Sequence, residues 1–72
     1  MWASTAAHDE RRIRNFVEGR PAVSETVLSL SAKLQVNRRL CRSVLERLVD
    51  EGFVYRRDFR DIEPIYYRVT RD

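Results

Sequence analysis

The stretch of residues 37–55, NRRLCRSVLERLVDEGFVY, restricts the possible folds more than any other part of the chain. Its apolar residues recur at i, i+3 and i+4 spacing, which is typical of a helix that buries one face. These residues are Leu40, Cys41, Val44, Leu45, Leu48 and Val49. Asn37 suits the N-cap because its side-chain oxygen can accept a backbone N–H of the first turn. Gly52 suits the C-terminal end because glycine readily adopts the left-handed conformation found there.

The opposite face of this predicted helix is basic near its N-terminus. Arg38, Arg39 and Arg42 lie in the first turns, where the helix dipole adds positive potential for an anion. Ser43 and Glu46 follow on the same face. Glu46 fits two roles, an ion pair with Arg42 at i, i+4 or an acceptor for a cytosine amine.

Positive charge is concentrated around this helix. Five basic residues and one acidic residue lie between Lys33 and Arg47, a local balance of +4 in a chain whose net charge is +3. Thirteen of the 14 basic residues of the chain are arginine, whose planar fork suits phosphates and guanine edges. Scattered charges are typical of a solvated surface, whereas clustering on one helix favours a polyanionic partner.

The N-terminal part of the chain predicts a first helix. Residues 1–4 are expected to form a flexible tail, and Ser4 or Thr5 is expected to cap a helix that ends near Glu18. The apolar stripe of this helix consists of Ile13, Phe16 and Val17. Gly19-Arg20-Pro21 then ends the helix, because glycine and proline interrupt helical structure.

A second helix follows after a short extended segment. Ala22-Val23 is expected to be a very short strand, and Thr26 to cap a helix over Val27–Leu34. A turn of residues 35–37, with Val36 as its apolar residue, connects this helix to the one that Asn37 begins. The two helices and the short turn predict a helix-turn-helix.

After Gly52 the apolar period changes from helical spacing to two. Residues 53–57 and 65–70 alternate aromatic or β-branched residues with polar ones, which predicts two antiparallel strands. Residues 58–64 form the tip between them. The order helix, short strand, helix, helix, hairpin predicts an α+β winged helix-turn-helix, with three helices and a small antiparallel β-hairpin wing. One such domain is expected to span residues 5–72.

Several function classes lack the residues they need. One Cys (Cys41) and one His (His8) offer no zinc site, and Cys41 is expected to be a small buried hydrophobe. The chain has no nucleophile–base pair and no Gly-rich phosphate loop, so no enzyme, cofactor or small-molecule substrate is expected. No apolar run approaches the roughly 20 residues of a membrane helix. We therefore expect a soluble, intracellular protein without a membrane partner.

The segment LSAKLQVNRRLCRSVLERLVDEGFVYR resembles winged-helix nucleic-acid-binding domains, and among these it is most similar to the Z-alpha type. Domains of that type bind left-handed Z-DNA or Z-RNA and occur in RNA-editing deaminases and innate immune sensors. The similarity runs without a gap over residues 30–57 and extends loosely to EPIYYRV near the C-terminus. The resemblance implies a non-catalytic module that docks its third helix and its wing on duplex DNA or RNA.

The resemblance also implies particular contact residues. The basic pair that the family carries early in the recognition helix corresponds to Arg38 and Arg39. The wing proline, which packs against the sugar-phosphate backbone, resembles Pro64. The aromatic residue that follows resembles Tyr66, or Tyr67 if the register slips by one. Adjacent tyrosines of a strand face opposite sides, so one is expected in the core and one on the surface.

Two positions depart from the pattern of the family. Arg42 stands where the family has an asparagine, and Glu46 stands where the family has a tyrosine that stacks on an exposed base. Base stacking on an aromatic ring is worth about 1–3 kcal/mol. We therefore expect phosphate contact to be retained and preference for the left-handed form to be weakened.

The expected partner is duplex nucleic acid, with the choice between DNA and RNA left open. The predicted contact residues are Lys33, Asn37, Arg38, Arg39, Arg42, Ser43, Glu46, Arg56, Arg57, Pro64 and Tyr66. The chain is expected to act as a domain of a larger protein or as a homodimer on nucleic acid. The alternative is a winged helix that binds only proteins through exposed apolar residues. Candidates for that surface are Leu28, Leu40, Val49, Phe59 and Ile62.

Overall fold

The computed structural model describes residues 2–69 of the 72-residue chain, and the side chains of residues 6–69. The elements are α1 (Trp2–Glu18), β1 (Ala22–Glu25), α2 (Val27–Leu34), α3 (Arg38–Asp50), β2 (Tyr55–Arg57) and β3 (Ile65–Val69). The strands form one antiparallel sheet in the order β1-β3-β2. The predicted α+β class with three helices is confirmed, and the layout is consistent with a winged-helix-like arrangement. No helix of the described part is long and apolar enough to cross a membrane.

Helix α1 begins earlier than predicted. It is helical from Trp2, so the predicted cap at Ser4 or Thr5 is wrong, and residues 2–4 of the expected tail belong to the helix. The two alanines at positions 6 and 7 have high helix propensity and favour continuation of the helix through this region. The predicted apolar stripe is confirmed, because Ile13 and Val17 are fully buried and Phe16 is partly buried against the core.

The turn between α2 and α3 agrees closely with the prediction. The Thr26 hydroxyl accepts a hydrogen bond from the Ser29 backbone N–H at 3.0 Å, and the Ser29 hydroxyl accepts one from the Thr26 N–H at 2.9 Å. Gln35 ends α2 in the left-handed conformation with a φ of 54°. Val36 is buried below the turn. These local contacts fix the angle at which the chain enters α3.

The sheet differs from the predicted hairpin because β1 contributes a full strand. All four residues of β1 pair with β3, from Ala22 opposite Val69 to Glu25 opposite Tyr66. Strand β2 begins only at Tyr55, because the backbone N–H of Phe53 still donates to the Leu48 carbonyl at the end of α3. The predicted strand end at residue 70 lies outside the described residues.

The core lies where the three helices meet the inner face of the sheet. Its buried hydrophobic residues are Ile13, Val17, Val23, Val27, Leu30, Val36, Cys41, Val44, Leu45, Leu48, Val54 and Tyr66. The predicted apolar face of α3 is confirmed, with Leu40 and Val49 half-buried at its margins. Cys41 is fully buried, and this burial raises the pKa of its thiol to about 11. Gly52 has a φ of 77°, as the predicted helix end requires.

Candidate nucleic-acid interface

Three arginines of α3 share one exposed groove. Arg38, Arg39 and Arg42 line a concave surface of about 350 Å³ together with Val27, Leu28 and Glu63; we call it the arginine groove. Within the described part of the chain, none of the three guanidinium groups forms an ion pair with a carboxylate. Their charge is therefore available to an anionic ligand.

The position of the arginine groove follows from the cap of α3. The Asn37 side-chain oxygen accepts hydrogen bonds from the backbone N–H groups of Arg39 and Leu40, at 2.8 and 3.1 Å. This cap fixes the first turn, so the arginines stand at the positive end of the helix dipole. Asn37 itself is exposed, but its oxygen is already occupied by the cap.

Two other basic residues of the same region are neutralised. The ammonium of Lys33 lies 2.6 Å from Glu25, and the guanidinium of Arg47 lies 2.7 Å from Glu10. Both acidic partners come from other elements, so counting charges along residues 33–47 overestimated the free positive charge. The predicted site residue Lys33 is exposed but paired. Ser43 is also exposed, on the outer side of α3.

Glu46 does not pair with Arg42, contrary to the expectation from their i, i+4 spacing. Its carboxylate instead accepts hydrogen bonds from the Arg56 guanidinium at 2.6 Å and from the Tyr66 hydroxyl at 2.5 Å. The hydrogen bond from Tyr66, with a smaller effect of Arg56, lowers the pKa of Glu46. Burial and the Glu46 carboxylate together raise the pKa of Tyr66 to about 12. Glu46 thus connects α3 to both strands of the hairpin.

Tyr66 is not placed as a ligand contact. Only 2% of its surface is exposed, because its ring lies in the core below α3. The predicted contact of Tyr66 with nucleic acid is therefore replaced by the internal hydrogen bond to Glu46. Tyr67 is exposed, as expected for one member of the pair, but it faces the side of the sheet that is turned away from α3.

The remaining residues of the hairpin divide between the two faces of the sheet. Arg56 points towards α3 and forms ion pairs with Glu46 and Asp58. Arg57 points the opposite way and lies 5.6 Å from the centre of the Phe59 ring. Pro64 is half-buried. The structure therefore brings Arg38, Arg39 and Arg42 together, but it does not bring Arg57 to them.

The predicted nucleic-acid contacts omitted three residues that line the arginine groove, Val27, Leu28 and Glu63. The backbone N–H of Leu28, in the first turn of α2, donates to the Glu63 carboxylate at 3.3 Å. The two residues are 35 positions apart, so no local pattern connects them. Glu63 places one negative charge at the edge of an otherwise basic groove.

We expect Tyr66→Phe to destabilise the fold by about 1.5–3 kcal/mol at neutral pH, because a hydrogen bond to a charged acceptor is lost. The pKa of Glu46 is lowered from its ordinary 4.5 in the folded state. The stabilisation by the ionised Glu46 carboxylate is therefore fully present above pH 4.5. It is lost as the pH falls through the folded-state pKa of Glu46. Urea unfolding of wild type and variant should show a difference that shrinks in acid.

Tyr67→Phe is the matched control, because it removes an exposed hydroxyl from the neighbouring position. It should leave the free energy of unfolding nearly unchanged at both pH values. Equal stability of wild type and Tyr66→Phe, or a loss that is the same in acid as at neutral pH, would contradict the role given to the hydrogen bond.

Residues that could hold a metal ion are not clustered in the described part of the chain. It contains no group of three or more His, Cys, Asp or Glu side chains with suitable geometry.

Comparisons with known proteins add no further assignment: no protein-family model, no curated protein and no solved structure matches the chain.

Proposed function

We propose that this chain is a non-catalytic winged-helix module that binds duplex nucleic acid through α3. The observation that carries the proposal is the arginine groove. Arg38, Arg39 and Arg42 are unpaired within the described residues, whereas Lys33 and Arg47 beside them are held by carboxylates. A cluster of three unpaired arginines at a helix N-terminus is suited to a polyanion.

Helix α3 is held rigidly by the rest of the fold, so binding through it requires little loss of conformational entropy. Its apolar face is buried in the core, and its C-terminal end is tied to α1 by ion pairs of Arg47 with Glu10 and of Arg14 with the C-cap residue Glu51, each at 2.7 Å. Its N-terminal turn is fixed by the Asn37 cap. The three arginines are thus displayed on a rigid element, and a ligand has to order only their side chains.

Phosphate is the ligand group that fits these residues best. A guanidinium can donate two parallel hydrogen bonds to phosphate oxygens, and the helix N-terminus adds a favourable dipole. Phosphates are common to DNA and RNA, so the proposal covers duplexes of both. Arg56 and Pro64 lie on the hairpin, which Glu46 holds against α3 and which is proposed to meet the adjacent strand of the duplex.

A protein-binding module is the second candidate. Leu28, Phe59 and Ile62 are exposed, as that function requires, whereas Leu40 and Val49 are half-buried and pack on the core. This candidate predicts no response to nucleic acid at low salt. The experiments below therefore distinguish it from duplex binding.

We expect Arg42→Gln to weaken duplex binding roughly 10- to 150-fold at low salt, since a hydrogen bond to a charged group contributes about 1.5–3 kcal/mol. The loss should be similar for duplexes of different sequence, as is expected for a phosphate contact. Arg47→Gln is the matched control, because it removes the same charge from the same helix at a position already paired with Glu10. Fluorescence anisotropy with labelled duplexes measures both.

Affinity that falls equally for Arg42→Gln and Arg47→Gln would mean that only the net charge of the protein matters. No binding by wild type at low salt would favour the protein-binding candidate. Circular dichroism of each variant checks that the fold is retained.

We expect the wild type to bind an alternating CG duplex without converting it to the left-handed form. Glu46 stands where domains of the Z-alpha type carry a stacking tyrosine, and its carboxylate is engaged by Tyr66 and Arg56. It offers no π-face and adds negative charge near the phosphates. The circular dichroism spectrum of the duplex should therefore stay right-handed during a titration.

The variant Glu46→Tyr tests the same point but leaves the buried Tyr66 hydroxyl without its acceptor. The double variant Glu46→Tyr, Tyr66→Phe removes that problem and should improve binding to the left-handed form. Complete inversion of the duplex spectrum by wild type would contradict the expectation and would mean that the arginines and Pro64 suffice.

A further inference from the structure

The side of the sheet that faces away from the helices carries a second groove. We call this side the outer sheet face; its groove measures about 540 Å³ and crosses all three strands. Alternation along the strands places Tyr55, Arg57 and Tyr67 on this face, while Tyr66 and Arg56 point towards α3. The outer sheet face thus lies on the opposite side of the sheet from α3, which carries the arginine groove.

Three aromatic rings are exposed on or beside the outer sheet face. Tyr55 is 61% exposed, Tyr67 is 37% exposed and Phe59, from the loop that follows β2, is 39% exposed. Tyr55 and Tyr67 are direct partners on neighbouring strands, with ring centres 5.5 Å apart and planes tilted by 34°. An aromatic surface of this kind on a small domain is characteristic of a binding site.

The charge of the outer sheet face narrows the choice of partner. Among the described residues that line the groove, Arg57 is the charged one, and none of them carries a carboxylate. A symmetric dimer through this face would enclose two copies of Arg57 and no carboxylate from the described lining residues, since a two-fold interface pairs a surface with itself. The combination of exposed rings and a guanidinium instead favours an anionic ligand that has planar groups.

We propose that the outer sheet face binds single-stranded nucleic acid. Unpaired bases stack on Tyr67, Tyr55 and Phe59, and Arg57 contacts the phosphate backbone, a combination that binds single strands in a sequence-tolerant way. A duplex does not fit this surface, because its bases are stacked on one another and their π-faces are not free. The site is additional to the duplex surface of α3 and does not depend on it.

The proposal is tested by titrating the full chain with a dodecamer of thymidylate and with an abasic oligomer that has the same number of phosphates. Nuclear magnetic resonance should show shifts of the Tyr55, Arg57 and Tyr67 amide signals with the thymidylate dodecamer. The abasic oligomer should bind this face several-fold more weakly, because it offers charge without bases.

Variants at Tyr67 separate stacking from general apolar contact. Tyr67→Leu keeps an apolar side chain but removes the ring, and it should weaken thymidylate binding roughly 5- to 150-fold, the range measured for loss of a stacking ring. Tyr67→Phe keeps the ring and should bind as wild type does. The variant Arg42→Gln changes the arginine groove only. Its amide signals on the outer sheet face should still shift when the thymidylate dodecamer is added.

Three results would overturn the proposal. If the abasic oligomer binds as tightly as the thymidylate dodecamer, the interaction is purely electrostatic. If Tyr67→Leu binds the dodecamer with wild-type affinity, stacking on Tyr67 is excluded. Signals of the outer sheet face that shift with protein concentration, and not with oligonucleotide, would show that a second copy of the chain covers it. If the chain does not bind duplexes, each of these three measurements still tests the single-strand proposal.

Discussion

The buried face of α3 is the feature on which the other parts of the structure depend. Val44, Leu45 and Leu48 are fully excluded from water, and each contributes about 1.5–3 kcal/mol through burial of its side chain. A domain of this size has a total stability of only about 5–15 kcal/mol. Rotation of α3 about its axis would expose these residues, so the helix has one permitted orientation. That orientation alone directs Arg38 and Arg42 to solvent.

Ion pairs then determine which positive charges remain available. The acids of α1 and β1 neutralise Arg47 and Lys33, and Glu46 binds Arg56 of the hairpin. Exposed pairs of this kind contribute little to stability. Their effect is on the surface potential, because they compensate the flanks of α3 and leave its N-terminal turns basic. The same interactions that position the hairpin therefore also define the proposed binding surface.

The parts of the fold that sequence predicted are those fixed by local contacts. Thr26 and Asn37 cap their helices through atoms two or three residues away, and Gly52 adopts the left-handed conformation that its position requires. The site was predicted less completely, because its pairings join distant segments. Nothing near Glu46 indicates that Arg56 binds it instead of Arg42. The choice of Tyr66 for the core depends on the register of β3 with β1, which local alternation cannot supply.

The salt dependence of duplex binding tests the central claim most directly. If the three arginines of the groove each neutralise one phosphate, the logarithm of the affinity should fall with the logarithm of salt concentration with a slope of about −2.7. A slope near −4.5 would require the pairs of Lys33 and Arg47 to open on binding, at about −0.9 for each of five contacts. A slope near zero would contradict the assignment of the arginine groove to nucleic acid.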